Sequence, residues 1–168
     1  MNARSLVGLV IDTLEFAREG RSAAGMLAVS SLPRLAELTA GGELECELTG
    51  RRENGRNWLS LSVRGRLALV CQRCLEPMPY ELDVATEVQV IAPGESWPDE
   101  VLEDGALSLG ADAIAAEPEQ SVADLVEEEV LLALPISPKH EQDCAPPARS
   151  DEKLAASPFA MLATLKKH

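Results

Sequence analysis

Cys71 and Cys74 lie three residues apart in the run Cys71-Gln-Arg-Cys74-Leu-Glu-Pro77. Two thiols at this spacing can grip one metal ion, form a redox disulfide, or simply pack. Further along the chain, His140 and Cys144 follow each other at His-x-x-x-Cys spacing. Cys71, Cys74, His140 and Cys144 together make a Cys₃His set of the kind that holds tetrahedral zinc. In that reading the ion staples the tail to the strand that ends at Cys71. In a plainer reading Cys71 is the last member of an apolar row, Cys74 lies in a turn, and both are small hydrophobes. The redox reading expects a helix N-terminus at the first cysteine to stabilise its thiolate. Pro77 and Pro79 argue against a helix there, although Arg73 could stabilise a thiolate. Spacing alone leaves all three readings open.

A second group carries charge. Residues 51 to 73 hold six arginines and one acid, Glu53, a local +5 in a chain of net charge −13. Arg51, Arg52, Arg56 and the neighbouring Trp58 could touch phosphate and stack on a base. The opposing net charge excludes broad nucleic-acid binding. Residues 93 to 120 hold eight acids and no basic residue, and Glu127 to Glu129 form an acidic run. Such runs engage a basic partner or simply form solvated faces. No Ser/His/Asp set, phosphate loop or dinucleotide fingerprint is present. His140 and His168 are the only histidines, so histidine-based catalysis has little to draw on.

These residues need elements to position them. Leu44, Cys46 and Leu48 alternate with glutamates, and Leu59, Leu61, Val63, Leu67, Leu69 and Cys71 alternate with polar residues. Asn54-Gly55 between the two runs suits a type I′ hairpin turn. A two-residue loop there pairs positions whose numbers sum to about 109, facing Leu48 to Leu61 and Cys46 to Val63. The same register sets Glu45 opposite Arg64 and Glu43 opposite Arg66, predicting ion pairs within the hairpin. Tyr80, Leu82, Val84, Val88 and Val90 form a third amphipathic strand after a turn at Pro77-Met-Pro79.

Asp12-Thr-Leu-Glu15 has capping-box spacing and predicts a helix over residues 13–19. Gly25 to Val29 reads as a short strand. Ser31 is placed to cap a helix over residues 32–38, with Gly41-Gly42 ending it. Ser121 and Asp124 open a longer helix with the apolar stripe Val122, Leu125, Val126, Val130, Ala133 and Leu134, leaving Glu127 to Glu129 mostly facing water. Residues 93–120 read as a mobile acidic insertion with a short strand near 111–115. Residues 158–167 read as a small terminal helix.

The fold expected is α+β: an antiparallel sheet with a central hairpin, short N-terminal helices and a C-terminal helix packed on it. Residues 1–135 form one domain, and residues 136–168 a Pro-rich tail. At 168 residues the chain can bury a real core. Aromatics are only 3% of it, so aliphatic side chains must fill that core. No apolar run has membrane-spanning length, and the N-terminus lacks a signal-peptide pattern. The expectation is a cytoplasmic protein with reduced thiols.

Four segments occur in a telling order: Cys71-Gln-Arg-Cys74-Leu-Glu-Pro, Asp124-Leu-Val-Glu-Glu-Glu-Val-Leu-Leu-Ala-Leu-Pro135, the His140 and Cys144 pair, and Ser157-Pro-Phe-Ala-Met-Leu-Ala-Thr-Leu-Lys166. In this order they resemble the bacterial YceD family, the large ribosomal RNA subunit accumulation proteins. The resemblance spans most of the chain. It implies a non-enzymatic ribosome-biogenesis factor supporting synthesis, processing or stability of 23S ribosomal RNA. The implied partners are that RNA or its precursor, directly or indirectly, and a large-subunit ribosomal protein, with no membrane and no small-molecule substrate. Cys71, Cys74 and Cys144 match recurring family positions. The alternatives are a zinc-stapled protein-interaction module and a Cys-x-x-Cys thiol oxidoreductase.

Overall fold

A computed structural model of the chain describes residues 4–98, 112–142 and 144–146. It is an α+β fold with a six-stranded sheet of order β1-β3-β4-β5-β6-β7. The strands are β1 (Arg4–Ser5), β2 (Val10–Ile11), β3 (Ser22–Ala28), β4 (Thr39–Glu53), β5 (Arg56–Val70), β6 (Pro77–Ile91), β7 (Ala113–Ala115) and β8 (Gln120–Ser121). The helices are α1 (Thr13–Arg18), α2 (Pro33–Leu38) and α3 (Val122–Ala133). Strands β3 to β6 are antiparallel neighbours, whereas β1 and β7 join the two edges in parallel. Strands β2 and β8 pair separately and tie the N-terminal segment to the start of α3. No helix among the described residues is long and apolar enough to cross a membrane.

The hairpin has the expected register. Glu53 pairs with Arg56, Leu48 with Leu61, Cys46 with Val63 and Glu43 with Arg66. Asn54 and Gly55 take φ of 52° and 80°, the positive pair that a type I′ turn demands. Leu44, Cys46, Leu48, Leu59, Leu61 and Val63 are buried on one face. Helices α1 and α3 lie against that face through Phe16, Val122, Val126 and Val130, while α2 contributes Leu35. At Gly50 a Cβ would stand 2.4 Å from the Phe16 carbonyl oxygen, so only glycine lets α1 approach β4 this closely.

The opposite face is charged, but its ion pairs run to the other neighbour. Arg64 meets Asp83 at 3.1 Å and Arg66 meets Glu81 at 3.1 Å, both across β5–β6. The register to Glu45 and Glu43 is right, yet no ion pair forms with either among the described residues. Each arginine has a carboxylate on both flanks and closes its fork on the β6 side.

Several local expectations are corrected. Pro77 to Pro79 is already strand, and the reversal lies at residues 71–76, where Leu75 takes φ 66°. A turn needs backbone closure, and here the Cys71 N–H donates to the Glu76 carbonyl and the Leu75 N–H to the Cys71 carbonyl. Gly41 and Gly42 do not end α2. They sit inside β4 at a register shift between Thr39 and Gly42, the place where glycine relieves a bulge. Strand β3 is longer than expected, and β7 falls within the short strand expected near 111–115. Of that insertion, residues 93–98 form a turn and irregular chain and residues 116–119 lead into β8, while residues 99–111 and the helix expected at 158–167 lie outside the described residues.

The largest correction concerns Glu127. Ser31 falls in a 3₁₀ turn (Val29–Ser31), and α2 has no side-chain cap from its own N-cap residue, Leu32. The cap comes from α3 instead. The Leu35 N–H donates to Glu127 Oε1 at 3.0 Å, and Arg34 Nε donates to Glu127 Oε2 at 3.0 Å. Glu127 is only 3% exposed, so of the acidic run only Glu128 is exposed, and it too meets Arg34, at 3.6 Å. Glu129 accepts a bond from the Thr86 hydroxyl at 2.8 Å and ties α3 to β6. A helix N-terminus leaves donors unmatched, and a carboxylate from a packed neighbour satisfies them as well as a local serine does.

Burial works to raise the Glu127 pKa, but the bonds from Leu35 and Arg34 outweigh it and hold the carboxyl below the usual glutamate range. A depressed carboxyl stabilises the fold above its unfolded pKa, ~4.3, and that contribution fades as pH falls through the lower folded value. Glu127→Ala strands the Leu35 donor and is expected to cost about 1–3 kcal/mol in urea unfolding at neutral pH. The deficit relative to wild type should shrink on acidification below about pH 4. An equal loss at all pH values would show that the carboxylate charge plays no part.

Candidate metal centre

Strand β5 delivers Cys71 to the sheet's end with its thiol turned inward, as its alternation with Leu67 and Leu69 requires. Cys71 is fully buried there. The turn then folds back and places the half-buried Cys74 beside it. Past α3 the chain returns over this turn. The Gln72 N–H donates to the Pro138 carbonyl at 2.8 Å, and Arg73 Nη2 donates to the His140 carbonyl at 3.2 Å. These bonds bring His140 and Cys144 against the two cysteines. All four donor atoms lie within 4.8 Å of one another.

The spacing fits a tetrahedron. Ligand bonds of about 2.3 Å to sulfur and 2.0–2.1 Å to nitrogen imply S···S edges near 3.8 Å and S···N edges near 3.5 Å. The Cys71 and Cys144 sulfurs are 3.7 Å apart, and Cys74 Sγ lies 3.4 Å from His140 Nδ1. The set therefore suits zinc, with four protein donors and no fifth position for a substrate. A closed tetrahedron of this kind holds chain segments together; catalytic zinc keeps one position open.

The electrostatics favour an anionic sulfur. The Cys71 thiol is drawn down to about 5, chiefly by the Cys74 backbone N–H, against the opposing effect of burial, with help from the N–H groups of Arg73 and His140. The Arg73 N–H lies 3.4 Å from Cys71 Sγ. Cys144 is pushed the other way, first by burial and then by its thiol neighbours. Cys46 takes no part. It is 1% exposed in the core, and burial, with Glu45 adding, pushes its thiol up to about 12. A thioredoxin-like arrangement is not formed, because a turn and then β6 follow Cys71 where that chemistry wants a helix.

The arginine group sits at the far end of the sheet, around the Asn54-Gly55 tip. Arg51 Nη2 meets Glu87 at 2.8 Å, Arg51 also pairs with Glu53, and its guanidinium stacks 5.3 Å from the Trp58 ring centroid. Arg52 and Arg56 are exposed and make no ion pair among the described residues. The structure thus separates the two residue groups completely. It also adds Gln89 and Trp97 to the tip, beside Arg56, which sequence reasoning passed over. The β5–β6 register pairs Trp58 with Gln89 and was the available signal.

In chelator-treated protein the ultraviolet thiolate absorbance should rise in a step centred near the Cys71 value of about 5. Cys71→Ser should remove that step. A first step appearing only above pH 8 would contradict the thiolate-stabilising turn.

No solved structure matches this chain. A family model described as large ribosomal RNA subunit accumulation protein YceD matches residues 59–166, from β5 through the tail. That span covers well over half of the chain and contains Cys71, Cys74, His140 and Cys144 in their clustered arrangement. The chain belongs to the YceD family.

Proposed function

We propose that this protein is a non-enzymatic, cytoplasmic ribosome-biogenesis factor that supports synthesis, processing or stability of 23S ribosomal RNA. The family match over residues 59–166 carries the reading. Zinc held by Cys71, Cys74, His140 and Cys144 acts in it as a staple, fixing the segment after α3 to the end of the sheet. A saturated tetrahedral site supports a structural role and offers no place for a substrate. Contact with the RNA or its precursor falls to Arg51, Arg52, Arg56 and Trp58 at the hairpin tip. The remaining outer face is acidic, with Glu43, Glu45 and Glu47 in one row of β4, and repels a phosphate backbone.

That acidic face favours a second reading, a zinc-stapled module that docks a basic protein such as a large-subunit ribosomal protein. Charge complementarity gives such a surface specificity and a fast on-rate. The two readings differ in what is recovered when the protein is crosslinked in cells and both RNA and protein are identified. Recovered 23S fragments support direct contact; a basic protein without RNA supports the second.

Two measurements test the main reading. Deleting the gene is expected to lower 23S rRNA and large subunits relative to small subunits; unchanged levels would overturn it. Purified protein is expected to hold about one zinc per chain, with Cys74→Ser or His140→Ala lowering that content. Metal removal should lower the melting temperature, by roughly 2–4 °C for each kcal/mol of stabilisation lost. Zinc far below one equivalent would remove the staple and leave the rRNA role standing.

A further inference from the structure

We propose that Arg56, Gln89 and Trp97 form a subsite for one unpaired RNA base at the hairpin tip. The proposal rests on the rRNA reading above and specifies where and how single-stranded RNA is held.

The register builds the site. Arg51 pairs with Trp58 and Trp58 with Gln89, so these three residues form one row across β4, β5 and β6 on the outer face. Beyond β6 the chain reverses at Gly94, whose φ of 85° suits glycine. The reversal is tied by Ala92 and Glu95: the Glu95 N–H donates to the Ala92 carbonyl, and the Ala92 N–H donates to Glu95 Oε2 at 2.9 Å. This loop sets Trp97 beside Arg56 and Gln89, around a cavity of about 320 Å³. The volume stands at the low end for ligand sites, which are ~300–1,000 Å³, and suits a single flat ring rather than a duplex.

Each wall supplies one element of base recognition. Trp97 is 57% exposed, an uncovered aromatic face of the kind on which bases stack. Gln89 is 7% exposed, and among the described residues its Oε1 accepts no hydrogen bond. A buried acceptor without a donor is a standing cost, and a turn of the Gln89 amide that brings this oxygen to the cavity lets an exocyclic amino group of adenine, cytosine or guanine relieve it. Glu95, also on the wall, is a second acceptor for that edge. Its charge repels the phosphate, for which Arg56, also on the wall, is an exposed cation with no ion pair among the described residues. Uridine lacks the amino group and is the disfavoured base.

The test uses the full zinc-loaded chain in a Trp58→Phe background, so that Trp97 alone reports. Single-stranded RNA oligonucleotides should quench it, and a duplex of the same sequence should not. Read by the anisotropy of a dye-labelled oligonucleotide, since the reporter ring is gone, Trp97→Ala should weaken single-strand binding about 5- to 150-fold, the fold-change of one lost stack, and Trp97→Phe should restore part of it. Gln89→Leu should abolish preference for oligocytidine over oligouridine while leaving uridine binding in place. Quenching by duplex equal to that by single strands would overturn the proposal, as would unchanged affinity in Trp97→Ala. Mononucleotides binding as tightly as oligomers would assign the cavity to a free nucleotide and overturn the RNA assignment. Expression of Trp97→Ala in the deletion strain separates the two levels. Full restoration of 23S rRNA would sink the subsite alone, whereas no 23S loss in the deletion itself would sink the broader reading.

Discussion

The pairing of β4 with β5 is the constraint on which the remaining structure depends. Positive φ at Asn54 and Gly55 fixes it, because a two-residue I′ loop permits one register and its twist matches that of the strands. A slip of one residue would turn Leu44, Cys46 and Leu48 to water and bury Glu43, Glu45 and Glu47. The buried row of β5 runs on to Cys71 with a single break at the half-buried Gly65, so the turn at one end of the hairpin determines where a thiol emerges at the other. Strand β6 then copies the alternation, and its charged side completes the outer face.

Long-range polar contacts finish what the register begins. Glu127 reaches from α3 to the N-terminus of α2, and Glu129 reaches from α3 to β6. Thr13 does similar work for the N-terminal segment: the Glu117 N–H donates to its hydroxyl, which in turn donates to the Glu117 carbonyl. These contacts lock helices that are too short to be stable alone, since α1 and α2 each have only six residues. At the far end, Gln72 and Arg73 hold the returning chain by its backbone carbonyls, independently of the thiols. These hydrogen bonds hold the two segments that carry the donor cluster against each other.

What the sequence made legible follows from the range of the forces involved. Period-2 alternation and turn chemistry act between neighbours, and both the hairpin and the inward placement of Cys71 could be read from them. So could the Asp12 and Ser121 caps, whose partners lie three residues away. The cap of α2 was misread because its donor and acceptor are 92 residues apart, and no local pattern carries that information. Arg64 and Arg66 were paired with the wrong strand because the register offers each two carboxylates and side-chain reach decides between them. The clustering of Cys71, Cys74, His140 and Cys144 was suggested by donor chemistry. Its geometry, however, depends on where the chain goes after Pro135, which no periodicity describes.

Strand β5 also acts as a ruler. It runs unbroken for fifteen residues from the hairpin tip to the cysteine turn. At ~3.3 Å per residue its two ends lie roughly 45 Å apart. A paired, twisted sheet transmits position along its length with little give, so the tip and the stapled tail keep a fixed separation. A small ligand or short peptide can touch one end only. An object that engages both must itself extend over that distance.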